Sequence, residues 1–226
     1  MEAFSFPPLE VNVWGELACF TRPEMKVERL SYRCITPSAA RGILESIFWK
    51  PQFHWMVRDI IILNPIRQIS LRRNEVKSKI PVNSVNTWRQ EGEHDRYFAD
   101  IDNTQRNTIA LKDVNYIIRA NVFVKKEKYG DIHPAKFRDQ FRRRVQRGEC
   151  YMRPYLGCRE FAAHFSPAPE EYCSIDLTED LGRMLFDLDY RSSNKRALPK
   201  FFQARIENGK LEVPTELYGE IRNVEL

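Results

Sequence analysis

Residues 10–20 alternate, with Val11 and Val13 set against Asn12 and Trp14, and then turn largely apolar. That pattern predicts a central strand entered from the Pro7-Pro8 arm. Thr21 to Glu24 breaks it. From Lys26 to Ile35 a second alternation predicts a strand with Arg29 and Arg33 on one face, a phosphate-tracking row, and Leu30, Tyr32 and Cys34 on the other. A helix follows over 37–49, with Thr36 as N-cap, Pro37 at the first helical position and Pro51 as the stop. Its buried stripe is Ala40, Ile43, Leu44, Ile47 and Phe48, and Arg41 and Glu45 form an i, i+4 pair on the other side. Gly42 lowers helix propensity, so it marks either a close approach by a strand or ligand, or a tolerated mid-helix glycine.

Residues 53–63 read as a strand buried on both faces, and 64–65 as a turn. Residues 66–76 continue extended and carry Arg67, Arg72 and Arg73. The stretch 77–108 is polar, with Lys77, Lys79, His94, Arg96 and Arg106, and predicts a long excursion or mobile hairpin between sheet strands. Residues 109–124 are the longest β-rich run, with Val114, Tyr116, Ile118 and Ala120 against Asn115, Ile117, Arg119 and Asn121. Pro134 opens a second helix to Arg147 on the seam Phe137, Phe141 and Val145, and Gly148 closes it. Residues 155–165 then supply a fourth strand. The order β-α-β-β-α-β predicts an α+β fold with a ferredoxin-like domain over 1–166. Residues 181–190 read as a strand and 201–213 as a hairpin on the Asn208-Gly209 turn, which predicts a small β subdomain over 167–226 packed on the first.

A chain of 226 residues, 42% hydrophobic and 12% aromatic, can fill such a core. No apolar run approaches the roughly eighteen residues of a spanning helix, and no secretory segment is visible, so a soluble, cytoplasmic protein is expected. The five cysteines are scattered and form no C-x-x-C pair, so they read as buried thiols in a reducing compartment. The net charge of +5 and the pI near 8.9 matter less than their placement. Arginine clusters at 72–73, at 138, 142–144 and 147, and in the opening stretch. One such cluster is equally well a solvated helix face, whereas several interleaved with aromatics point to nucleic acid. His54, His94, His133 and His164 lack ligand spacing, Asp187 and Asp189 share a strand face without a third ligand, and no phosphate loop or Gly-x-Ser-x-Gly elbow occurs. No metal and no cofactor is expected.

Residues 20–32, 35–51, 72–76, 156–161 and 180–185, taken in order and spacing, resemble the fifth Cas protein of subtype I-C CRISPR systems, over nearly the whole chain. The resemblance implies a RAMP-superfamily protein that cuts the repeat RNA of the CRISPR precursor without metal. It implies retention of the crRNA 5′ handle within the Cascade surveillance complex, beside large and backbone Cas subunits and, through the complex, target DNA. Metal-free cleavage needs a base for the ribose 2′-OH, a cation for the phosphorane and an acid for the leaving 5′-oxygen. The family offers an ionisable aromatic where this chain has Phe48, a His where it has Asn121, and a basic residue nearby that corresponds to Arg119. Three readings stay open. Tyr32, Lys50, His54 or Tyr116 takes over proton transfer beside Arg119; the chain binds RNA without cutting it; or its arginines hold neighbouring Cas proteins. Phosphate contacts are expected from Arg22, Lys26, Arg29, Arg41, Arg72 and Arg73, and base stacking from Trp49 or Tyr32.

Overall fold

The β-rich run after the polar excursion becomes the strand on which the sheet is built. The computed structural model describes residues 6–91, 100–130, 132–190 and 197–222. Its elements are β1 (Leu9–Ala18), β2 (Arg29–Leu30), α1 (Pro37–Ile47), β3 (Phe53–Ile62), β4 (Arg67–Val76), α2 (Val82–Glu91), β5 (Asn103–Val124), α3 (Lys126–Tyr129), α4 (Ala135–Arg147), β6 (His164–Pro167), β7 (Glu179–Asp189), β8 (Leu198–Glu207), β9 (Lys210–Glu212) and α5 (Glu216–Arg222). The fold is mixed α/β, dominated by an antiparallel sheet of order β6-β1-β5-β3-β9-β8-β7, with β2 and β4 also paired to β5. The two-residue contact of β2 with β5 is parallel. The second half of β5 lies between β1 and β3, and its first half pairs with β4 from Arg67 opposite Lys112 to Val76 opposite Asn103.

The apolar alternation decides which face the helices cover. Val11 and Val13 of β1, Ile118 and Ala120 of β5 and Trp55 of β3 are fully buried. Trp55 meets Phe141 of α4 at 4.7 Å, and Phe53 meets Phe137 at 4.9 Å. The α1 stripe Ala40, Ile43, Leu44 and Ile47 is buried as the periodicity requires, each large side chain contributing about 1.5–3 kcal/mol. At the far end, Asn208 and Gly209 take φ of 49° and 73°, the left-handed pair that a two-residue hairpin turn demands.

Four expectations change. The strand over 26–35 shrinks to Arg29 and Leu30. The Ser31 N–H still donates to the Ile109 carbonyl of β5 at 3.0 Å, but the Tyr32 N–H turns to the Phe20 carbonyl at 2.8 Å. The Ser31 hydroxyl accepts from the Phe20 N–H (3.0 Å) and donates to the Tyr32 carbonyl (2.7 Å), so the chain leaves β5 for the segment after β1. The strand over 155–165 shrinks to 164–167. Before it the chain turns tightly at Gly157 (φ 84°), where any Cβ would lie 2.1 Å from the Cys19 carbonyl oxygen. Within 77–108, α2 forms and β5 already begins at Asn103; His94 and Arg96 lie outside the described residues. Of the cysteines, Cys19 and Cys34 are buried, but Cys150 and Cys173 are exposed and Cys158 is half-buried. Around Gly42 there is open space, so that glycine is a tolerated one.

Candidate nucleic-acid interface

The start of α1 is held by the protein's own groups. Thr36 caps the helix by accepting from the Ala39 N–H at 3.2 Å. Ser38 donates its hydroxyl to Asp187 (3.2 Å), and Arg41 grips the same carboxylate with both arms of its guanidinium (2.9 and 2.8 Å) while also reaching Glu45 at 2.6 Å. Burial works against the Arg41 charge, but Asp187 and Glu45 outweigh it and raise its pKa. The anion at this helix start is therefore a carboxylate from β7 rather than an incoming phosphate. Arg41, expected on phosphate, is spent on that contact.

A second basic group gathers where β2, β4 and the turn at 156–161 meet. Arg29 pairs with Glu75 (3.3 Å) and Glu160 (3.5 Å), and Arg73 reaches the same Glu160 and covers the Phe161 ring at 5.2 Å. Burial raises the Glu160 carboxyl, but backbone hydrogen bonding and the Arg73 and Arg29 cations prevail and lower its pKa. Arg22 lies over the Tyr32 ring at 4.9 Å, and Lys26 and Arg72 are exposed. Arg33 departs from the expected row to pair with Glu179 at 3.1 Å. Beneath Arg29 the Cys158 thiol donates to the Cys19 carbonyl at 3.7 Å, and the Cys19 thiol lies 3.6 Å from the Thr21 hydroxyl. Hydrogen bonding with Cys158, helped by Thr21, Arg29 and Arg73, lowers the Cys19 pKa against burial. Cys34, fully enclosed, is pushed up to about 12 by burial.

The other end of α1, about 16 Å away along eleven residues, carries the remaining candidates. Phe48 leaves the helix in extended conformation, 2% exposed, with its ring 5.5 Å from Phe53 and 5.6 Å from the Arg144 guanidinium. Its carbonyl accepts from the Trp55 indole at 2.8 Å. Trp49 and Lys50 then stand exposed on the turn into β3. Val122, paired with Trp55, faces the helices, so Arg119 and Asn121 face the opposite way. Arg119 pairs with Glu10 (3.1 Å) and Asp59 (3.4 Å), and burial ahead of all else raises the Asp59 pKa. Asn121 donates to the Phe6 carbonyl at 3.5 Å, and its buried amide oxygen has no hydrogen-bond partner. Tyr32 and Tyr116 are buried at 1% and 2% exposure. His54 is half-buried on β3.

The structure thus brings Arg29 and Arg73 together and leaves Arg41, Arg119 and Trp49 in three separate places. Two features escape sequence reasoning. Glu160 joins two arginines distant in the chain, and Tyr151 and Met152, in a stretch without periodicity, stand exposed beside the end of α1. No helix among the described residues is long and apolar enough to cross a membrane.

The profile of the Cas5d family, described as CRISPR-associated protein (Cas_Cas5), matches residues 9–214. A protein of Mannheimia succiniciproducens named CRISPR pre-crRNA endoribonuclease Cas5d is 40% identical over 95% of this chain and 98% of its own. One of the same name from Thermus thermophilus is 41% identical over 96% of both chains. A crystal structure of a CRISPR-associated protein superposes with a TM-score of 0.67 at 22% identity, covering 92% of this chain and 91% of its own. The structure of the functionally uncharacterised protein SMU1763c from Streptococcus mutans gives 0.64 at 20%, covering 92% and 93%. The chain belongs to the Cas5d family of CRISPR-associated proteins.

Proposed function

We propose that this chain is an endoribonuclease that cuts the repeat RNA of a CRISPR precursor without metal, and then holds the crRNA 5′ handle in the type I-C Cascade complex. The observation that carries this reading is the 40–41% identity, over nearly the full chain, to two proteins named CRISPR pre-crRNA endoribonuclease. The precursor, the mature crRNA, the large and backbone Cas subunits and, through the complex, target DNA are its partners, in the cytoplasm. The antiparallel run β6-β1-β5-β3 supports reading residues 1–166 as a ferredoxin-like unit, because α1 joins β1 to β3 and α4 joins β5 to β6 across one intervening strand each. Residues 167–226 extend that sheet as a β unit.

In this reading Arg119 meets the charge on the phosphorane, the incoming phosphate replacing a carboxylate of Glu10 or Asp59. Asn121 orients the ribose through its amide oxygen, while Lys50, exposed beside Trp49 at the end of α1, stands with the group apart from Arg119. Arg22, Lys26, Arg29, Arg72 and Arg73 track phosphates, with Trp49 stacking on a base. Repeat RNA incubated with the protein in EDTA is expected to be cut at one site, and Arg119→Ala to slow the cut by about a hundredfold or more. A second reading is a subunit that binds the handle and neighbouring Cas proteins without cutting. The buried apolar Phe48 and the non-titrating Asn121 favour it. Intact RNA at saturating protein establishes that reading.

A further inference from the structure

The arginines of α4 and the residues after its cap take no part in the assignments above, yet they share one surface with Trp49. Gly148 ends α4 in left-handed conformation. The Tyr151 and Met152 N–H groups then both donate to the Ser46 carbonyl of α1, at 2.8 and 3.2 Å. Arg144 donates to the Ile47 carbonyl at 3.0 Å. These bonds fix the 149–152 segment on the last turn of α1, three residues before Trp49. The apolar surface that results is open: Trp49 is 52% exposed, Met152 55% and Tyr151 84%. Lys50, Arg147 and Arg153, close in sequence to Trp49, Gly148 and Met152, are exposed, as is Arg143 one turn earlier on α4. Arg147 has the exposed Glu149 at 3.7 Å, and no ion pair is formed by Lys50, Arg143 or Arg153 among the described residues.

Exposed aromatic rings cost solvation unless something stacks on them, and cations without carboxylates attract an anion. A protein surface of mixed charge would leave the excess positive charge unmatched. Single-stranded RNA supplies a flat π-face per base and one phosphate per nucleotide, which matches both properties at once. We infer that Tyr151 and Trp49, framed by Lys50, Arg143, Arg147 and Arg153, form a sequence-tolerant platform for single-stranded RNA. The platform rests on the RNA-processing reading for its biological strand, the single-stranded segment next to the repeat stem. It shares no residue with the cluster around Arg29 and Arg73.

The test is fluorescence anisotropy of the intact protein with a labelled 15-nucleotide uridine strand, a length within the range that such platforms occupy. Tyr151→Ala is expected to weaken binding about tenfold and Tyr151→Phe to leave it unchanged, because the π-face is retained. Arg143→Ala with Arg147→Ala is expected to lower the slope of log K against log salt by about 1.4, for two phosphates on a single strand. An abasic strand of equal length is expected to bind Tyr151→Ala and wild type alike. No uridine binding by wild type at low salt, or Tyr151→Ala binding as wild type does, overturns the platform. So does a pair of patch variants that keep RNA affinity but lose co-purification with the other Cas subunits, since that result makes the surface a protein interface. Repeat-RNA cleavage is read in parallel. Its absence alone removes the nuclease reading while the uridine titration still decides the platform.

Discussion

At the scale of single residues, the buried Phe48 and the exposed Glu160 take different roles. Phe48 sits where the family resemblance leads one to expect an ionisable aromatic, yet its ring is enclosed by Phe53 and Arg144. Phe48→Ala is expected to cost about 3–5 kcal/mol in urea unfolding, as for other buried aromatics. Glu160 directly precedes the buried Phe161 and keeps its charge between Arg29 and Arg73. Its folded pKa is lowered, so its contribution to stability is present in full above the ordinary glutamate value. It is lost as the pH falls through the depressed folded value. The gap in urea midpoint between wild type and Glu160→Gln should therefore close on acidification; a gap that widened in acid would contradict the assignment.

At the scale of elements, α1 was legible almost to the residue because caps, Pro37 and the apolar stripe all act within one turn of chain. The Asn208-Gly209 hairpin was legible for the same reason: its φ requirement is local. The strands over 26–35 and 155–165 were not, since a hydroxyl of Ser31 and a contact of Gly157 with the Cys19 backbone override their alternation. Nor was the fate of Arg41 visible, because Asp187 lies 146 residues away. That pair fastens α1 to β7. Arg41→Ala leaves a carboxylate that is 2% exposed without its cation and is expected to destabilise by about 3–5 kcal/mol. Arg41→Met combined with Asp187→Leu should recover most of that loss in the same denaturation assay.

At the scale of the whole molecule, the sheet runs past the proposed boundary near residue 167 without a break. β9 pairs with β3 through Asp59 opposite Glu212 to Ile61 opposite Lys210, and Tyr218 closes on the Val57 backbone at 2.9 Å. A fragment of residues 1–166 loses these partners together with Asp187. It is expected to lack a cooperative thermal transition and to bind hydrophobic dye, whereas a sharp melt would show that the first unit stands alone. The turn that joins β8 to β9 bears on ageing. Asn-Gly dipeptides lose ammonia when the glycine nitrogen attacks the asparagine side-chain carbonyl. Here the Gly209 N–H is held by the Leu177 carbonyl at 2.8 Å, and the Asn208 N–H by Thr178 at 3.1 Å. Stored protein should therefore acquire the mass gain of deamidation at this site only as fast as the hairpin opens. The chemical clock at Asn208 records how much of its lifetime each molecule has spent with these strands apart.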